Sequence, residues 1–197
     1  MSAVYIADFG PRRILSNYIS QVDSAGISPV WRQGFASTYK DNSLGAIGHL
    51  GTLSFHETKN IISGEGGALL INDERFLERA EIIWEKGTNR SAFFKGEIDK
   101  YGWVDIGSSF LPSDMIAAFL YAQLENLDVI QEKRKEIWNQ YNDQLSALVN
   151  EGHINIPTYS KDKTNNAHMF CIVINSPVER SDLIKHLRDN GVHSVFH

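Results

Sequence analysis

Residues 54–60 read Ser-Phe-His-Glu-Thr-Lys-Asn, and residues 64–71 follow closely with Gly-Glu-Gly-Gly-Ala-Leu-Leu-Ile. The apolar run over residues 51–55 predicts a buried strand ending in polar residues, with a glycine-rich turn and a second strand directly after it. This arrangement presents Lys59 beside a tight turn. Partial desolvation in such a place lowers the pKa of a lysine amine and prepares it to form a Schiff base. Lys59 is therefore the candidate nucleophile of the chain.

Two other interpretations of this stretch have to be weighed. Most lysines are solvated surface charges, so the presence of Lys59 does not by itself indicate covalent chemistry. The glycine cluster at residues 64–67 is not a nucleotide P-loop, because it lacks the Gly-Lys-Ser/Thr ending and leads into a strand instead of a helix. The chain also lacks Gly-x-Gly-x-x-Gly, which argues against a generic nucleotide-binding α/β domain.

The spacing of Ser54-Phe55, Lys59 and residues 64–67 resembles the lysine segment of the DegT/DnrJ/EryC1/StrS sugar-nucleotide aminotransferases. The resemblance implies an α/β chain with the PLP-dependent transferase fold of type I. It implies that Lys59 holds pyridoxal 5′-phosphate as a Schiff base and that the Ser54 hydroxyl hydrogen-bonds the cofactor phosphate. His56 precedes the lysine by three residues, and two roles stay open for it: stacking near the cofactor ring, or a polar side chain of the loop.

The resemblance begins at Gln33, which aligns with a glutamine that lies against the cofactor ring in the family. The family aspartate that pairs with the protonated pyridine nitrogen aligns with Val30, and a valine side chain cannot form that pair. We therefore expect the region before Gln33 to be truncated or out of frame relative to an intact gene. We also expect the small C-terminal domain to be cut short at His197, because family members continue beyond this point.

These alignments divide the chain into three expected segments. Residues 1–32 form an atypical N-terminal segment, residues 33–128 form part of the large cofactor-binding domain, and residues 129–197 form a linking helix and a truncated small domain. Hydrophobic periodicity and capping residues predict helices over residues 11–22, 72–86, 113–128, 129–150 and 180–190. Apolar runs predict strands over residues 1–7, 51–55, 67–71, 169–174 and 192–196. Residues 154–157 are expected to form a short edge strand or a turn, and residues 87–109 a polar loop.

Composition excludes several classes of protein. The 197 residues are 42% hydrophobic and 22% charged, which suits one globular domain or slightly more. The net charge of −5 and the scattered basic residues disfavour binding to nucleic acid. No basic and apolar leader opens the sequence and no run is long enough for a membrane span. Cys171, expected in the core, is the single cysteine, which favours a cytoplasmic protein.

Two further clusters of polar residues carry weaker predictions. Lys133, Arg134 and Lys135 form a basic run, for which a solvated helix face is favoured over an anion site. His193 and His197 would share one face of a strand, but no third ligand lies near them in the sequence. We therefore expect no metal site in the chain.

Within the family, residues 56–58, 86–90 and 101–109 are most similar to the branch that makes dTDP-4-amino-4,6-dideoxygalactose for cell-surface polysaccharides, including enterobacterial common antigen. This similarity implies transfer of the amino group of L-glutamate to C4 of a dTDP-4-dehydro-6-deoxy-hexose, by a homodimer. Since a dehydratase offshoot of the family replaces the lysine with histidine, Lys59 favours transamination. The alternative, indicated by Val30, is a folded but non-catalytic remnant that no longer binds the cofactor.

Overall fold

The structure, a computed structural model, describes residues 3–7 and 36–196. Its strands are β1 (Ala3–Ala7), β2 (Thr38–Tyr39), β3 (Asn42–Ser43), β4 (Leu50–Ser54), β5 (Gly67–Ile71), β6 (Ile154–Asn155) and β7 (Val173–Ile174). Its α-helices are α1 (Leu77–Trp84), α2 (Arg90–Phe94), α3 (Asp114–Glu125), α4 (Leu127–Gln144), α5 (Ser146–Asn150) and α6 (Pro177–Asp189). A 3₁₀ turn (Glu74–Phe76) precedes α1.

The largest sheet of the described residues has the order β1-β5-β4, with both pairs antiparallel. Leu50 of β4 lies opposite Ile71 of β5, and Ser54 lies opposite Gly67. This register confirms the two strands expected around the candidate lysine. It also confirms a strand within residues 1–7, since Ala3 of β1 lies opposite Ile71.

The hydrophobic core lies between this sheet and the helices that follow it. Its buried members come from the stretch around the lysine and from helix α3, and partly buried side chains of β4, α3 and α4 pack against them. The buried residues are Phe55, Ile61, Ala68 and Leu120, and the flanking residues are Leu53, Leu124, Leu127 and Ile130. Because burial of apolar side chains is the main source of folding free energy, this packing fixes the lysine segment against α3 and α4.

Most of the expected helices are present with recognisable caps. Asp73 caps the 3₁₀ turn before α1, and Gly87 follows α1 with φ of +79°. Ser113 caps α3 by accepting a hydrogen bond from the Ile116 backbone N–H, and Ser176 caps α6 in the same manner. None of the helices in the described part of the chain is long and apolar enough to cross a bilayer. The helix expected over residues 11–22 lies outside the described residues.

The expectations for three segments of the chain were wrong. Strand β7 covers only Val173–Ile174, because its one partner in the described sheets, β6, offers two paired residues. Cys171 is consequently exposed and is not a core residue. Residues 192–196 form no strand, since no described segment offers them a ladder of hydrogen bonds. The expected loop over residues 87–109 contains the short helix α2, next to which the rings of Phe93 and Tyr101 lie 5.5 Å apart.

Candidate functional site

The loop between β4 and β5 is closed by backbone hydrogen bonds that leave Lys59 at its turn. The Phe55 N–H donates to the Gly66 carbonyl at 2.9 Å, and the Ser63 N–H donates back to the Phe55 carbonyl at 2.8 Å. The Glu57 N–H donates to the Gly64 carbonyl at 2.9 Å. Gly64 has φ of +85°, a left-handed conformation that glycine adopts without steric cost. The glycine cluster therefore serves to close the lysine loop tightly.

The Lys59 side chain is half-buried at this turn. Its backbone N–H donates to the His56 carbonyl at 2.9 Å, which fixes the turn that precedes the lysine. Within residues 3–7 and 36–196, no acidic side chain forms an ion pair with the Lys59 amine and no acceptor forms a hydrogen bond with it. An amine that no neighbouring carboxylate neutralises is available to react with an incoming carbonyl group.

Ser54 and His56, five and three residues before the lysine, are brought together. The His56 backbone N–H lies 3.4 Å from the Ser54 hydroxyl oxygen, and Ser54 is half-buried. The His56 Nδ1 atom accepts from the Thr58 backbone N–H at 3.2 Å and lies 3.0 Å from its hydroxyl. The other ring nitrogen, Nε2, lies 3.6 Å from the Glu65 carboxylate across the loop. Both ring nitrogens of His56 thus face loop residues, and the ring face is available for another contact.

Asn60, the residue after the lysine, is buried and fully hydrogen-bonded. Its amide nitrogen donates to the Gln131 side-chain oxygen at 2.8 Å and to the Asn166 carbonyl at 2.6 Å. Its side-chain oxygen lies 2.9 Å from the Nδ1 atom of His168. No motif in the sequence marks any of these residues. The only local signal was a polar amide beside an apolar run, since its partners come from distant segments.

Arg134 lies on the same face of α4 as Gln131, one turn further along the helix. Its guanidinium donates a hydrogen bond to the Lys59 carbonyl oxygen at 3.4 Å. Partial burial lowers the pKa of Arg134 below its usual value. The expectation of a solvated basic face was therefore wrong for Arg134, which is half-buried. It holds for Lys133, whose amine pairs with Glu136 at 2.9 Å in an exposed position, and Lys135 is also exposed.

A cavity of about 590 Å³ opens beside this network, and the lysine does not line it. Its walls come from the β2–β3 region and from residues 157–171, with Asn166 and His168 shared with the network around Asn60. In the described residues, no group of three His, Cys, Asp or Glu side chains is arranged to hold a metal ion. His193 is exposed, while His197 lies outside the described residues. Gln33 and Val30 lie outside them as well.

Comparison with sequence families gives a long match. Residues 32–197 match the profile of the DegT/DnrJ/EryC1/StrS aminotransferase family, which is more than four fifths of the chain. The match begins next to Gln33, where the resemblance in the sequence was found to start.

Curated relatives cover the same region at lower identity. The GDP-perosamine synthase of Escherichia coli O157:H7 is 30% identical over 161 residues, which are 80% of this chain and 40% of that protein. The dTDP-4-dehydro-2,3,6-trideoxy-D-glucose 4-aminotransferase of Saccharopolyspora spinosa is 26% identical over 166 residues, or 82% of this chain and 42% of that protein. The chain thus spans less than half the length of the curated relatives it matches.

Solved structures agree on the fold. The aminotransferase TlmJ from Streptoalloteichus hindustanus superimposes with a TM-score of 0.75 at 22% identity, over 90% of this chain and 46% of that one. At this level of identity the likeness concerns the fold. The expected class, an α/β chain with part of the PLP-dependent transferase fold of type I, is confirmed.

Proposed function

We propose that this chain, which belongs to the DegT/DnrJ/EryC1/StrS aminotransferase family, carries the cofactor-bearing lysine of a pyridoxal-phosphate-dependent sugar-nucleotide aminotransferase. The supporting observation is Lys59: a half-buried amine at the β4–β5 turn, without an acidic partner in the described residues. In this proposal residues 33–128 belong to the large domain and residues 129–197 to the small one, with residues 1–32 as an atypical segment before them.

The donor set of the loop fits pyridoxal phosphate on its aldehyde and phosphate sides. The Lys59 amine suits an aldehyde, and the half-buried Ser54 hydroxyl, at the end of β4, is a suitable donor to a phosphate oxygen. The face of the His56 ring suits stacking, since its two nitrogens are directed at Thr58 and Glu65. Gln33 is proposed to lie against the cofactor ring, as its match to the family implies.

The cofactor, when bound, supplies an aldehyde and an electron-withdrawing ring that allow an amino group to pass between an amino acid and a carbonyl compound. Lys59 would have two tasks in this proposal: it would hold the cofactor, and its freed amine would take the proton from Cα of the amino donor and deliver it to the carbon that carried the aldehyde. Ser54 orients the cofactor through its phosphate. The burial of Phe55 and Ile61 on the two sides of the turn keeps the lysine backbone in place.

We further propose L-glutamate as the amino donor and C4 of a dTDP-4-dehydro-6-deoxy-hexose as the acceptor, in the synthesis of a cell-surface polysaccharide. The support is the likeness of residues 56–58, 86–90 and 101–109 to that branch of the family. The relatives are named for both GDP- and dTDP-sugars. The proposal of a dTDP-sugar as the acceptor therefore rests on the likeness of these three stretches. A homodimer in the cytoplasm is part of the proposal. The large apolar side chains of Trp103, Ile106 and Met115 are exposed, which supports a second subunit that covers them.

Trapping of the cofactor tests the proposal directly. The purified chain is mixed with pyridoxal phosphate, reduced with borohydride and digested, and the pyridoxyl group is located by peptide mass mapping. We expect one predominant adduct on Lys59 that is lost in Lys59→Arg, because arginine cannot form the Schiff base. The matched control is Lys100→Arg, at an exposed loop position, which should retain the adduct.

The second candidate function, a non-catalytic remnant, rests on Val30 at the position of the family aspartate. It predicts labelling scattered over surface lysines and equal labelling of the wild type and Lys59→Arg. That outcome would contradict cofactor binding by Lys59 while leaving the family membership intact. A single Lys59 adduct would instead justify measuring transamination from L-glutamate.

A further inference from the structure

We propose that helix α4 positions Lys59, with Arg134 holding the lysine carbonyl and Gln131 holding the side chain of Asn60. The inference rests on the proposed role of Lys59 and adds residues that the family resemblance did not identify. Gln131 and Arg134 are three positions apart, so they project from one face of the helix. The lysine is thereby flanked by two contacts to the same rigid element.

The Asn60 amide leaves little freedom to the backbone next to the lysine. Both of its N–H groups donate, to Gln131 at 2.8 Å and to the Asn166 carbonyl at 2.6 Å, and its oxygen faces the His168 ring at 2.9 Å. This assignment requires the Nδ1 atom of His168 to carry the proton. Asn60 is 6% exposed and Gln131 is 5% exposed, so water cannot replace lost partners easily.

The network joins three distant segments of the chain at the lysine. The Gln131 side chain also donates to the Asn166 carbonyl at 3.2 Å, so this carbonyl accepts hydrogen bonds from the side-chain amides of both Asn60 and Gln131. The Asn166 side chain in turn accepts from the His168 backbone N–H at 3.1 Å. Such a satisfied buried network defines one arrangement of its members, because any displacement leaves a polar group unpaired. Displacement of α4 would consequently displace the Lys59 backbone.

Local hydrogen exchange tests this positioning role without the cofactor. The reporters are the Glu57 and Lys59 amides, which donate to the Gly64 and His56 carbonyls within the lysine loop. Gln131→Met keeps the side-chain size of glutamine and removes both hydrogen bonds. We expect exchange over residues 57–61 to become about tenfold faster in this variant, while residues 50–54 of β4 stay protected.

The matched control is Asn72→Leu, which also replaces a side-chain amide by an apolar group of similar size and removes its hydrogen bonds to the Gly45 and Gly48 carbonyls, beyond the other end of β5. This variant should leave exchange over residues 57–61 unchanged. If Gln131→Met does not fold, Arg134→Met is measured in its place, since Arg134 is only half-buried. Unchanged exchange over residues 57–61, or faster exchange spread equally over β4 and β5, would overturn the inference.

Affinity for pyridoxal phosphate provides the second measurement. We expect Gln131→Met to weaken binding about tenfold, with the adduct still on Lys59, and Asn72→Leu to leave the affinity unchanged. Faster local exchange with wild-type affinity would overturn the positioning of the lysine toward the cofactor. A wild-type chain that binds no cofactor would contradict the proposed function, while the exchange comparison would still decide whether α4 fixes the lysine loop.

Discussion

The backbones of Gly87 and Gly107 are in direct contact, and a Cβ at residue 107 would clash with the Gly87 nitrogen. A Cβ at residue 87 would run into the Asp105 carbonyl. The Gly87 carbonyl accepts from the N–H groups of Val104 and Asp105 at 2.9 and 3.1 Å. These two glycines therefore join the end of α1 to the segment that precedes α3.

Substitution of Gly107 tests this contact. We expect Gly107→Ala to lower the free energy of unfolding by about 1–3 kcal/mol, because the added methyl group meets backbone that cannot rotate away. Gly102→Ala is the control, since a Cβ at residue 102 would meet no atom within 4 Å. Chemical denaturation of both variants gives the comparison, and equal stability of the two would contradict the close approach.

The hydrogen bonds of Asp73 predict that the free energy of unfolding depends on pH in the acid range. Hydrogen bonds from the Arg75 side chain and backbone lower the pKa of Asp73 from 3.8 to about 2. Since the folded-state pKa lies below the unfolded value, this contribution is present above about pH 4 and is lost as the pH falls through 2. Asp73→Asn retains a capping oxygen without the charge.

The comparison of wild type with Asp73→Asn by denaturation at several pH values checks this prediction. The stability advantage of the wild type should be constant at neutral pH and should shrink between about pH 4 and pH 2. An advantage that stays the same across this interval would show that the Asp73 charge does not contribute.

Ser54 provides a prediction for cofactor affinity. Removal of a hydroxyl that donates to a phosphate should weaken binding of pyridoxal phosphate about tenfold in Ser54→Ala, with the adduct still on Lys59. Ser146→Ala is the control, because the exposed Ser146 hydroxyl donates to the Asp143 carbonyl at the start of α5. Absorbance titration measures both affinities, and equal values would exclude Ser54 as a phosphate ligand.

The exposed position of Cys171 predicts that the folded chain reacts with thiol reagents. The side chain is exposed, so the native protein should release one equivalent of thionitrobenzoate with Ellman's reagent, at a rate close to that of the denatured chain. Cys171→Ser should release none. A thiol that reacts only in denaturant would support the core position that the apolar run around it had predicted.

The sequence by itself determined the features that depend on neighbouring residues. Two apolar runs separated by polar residues and a glycine cluster specified β4, the turn and β5, and placed Lys59 between the strands. Ser113 marked the start of α3, because a capping hydroxyl reaches a backbone N–H only three residues away. The motif around Lys59 was also sufficient to identify the family, since its spacing lies within fourteen residues of sequence.

The tertiary structure alone decided which polar residues support the lysine and which apolar runs are buried. Asn60 meets Gln131 across 71 positions of sequence and Asn166 across 106, and no local pattern encodes such partners. Arg134 turned inward although its neighbours Lys133 and Lys135 are solvated. Residues 169–174 and 192–196 had the composition of strands but only Val173–Ile174 pairs, because a strand forms where another chain segment completes its backbone hydrogen bonds.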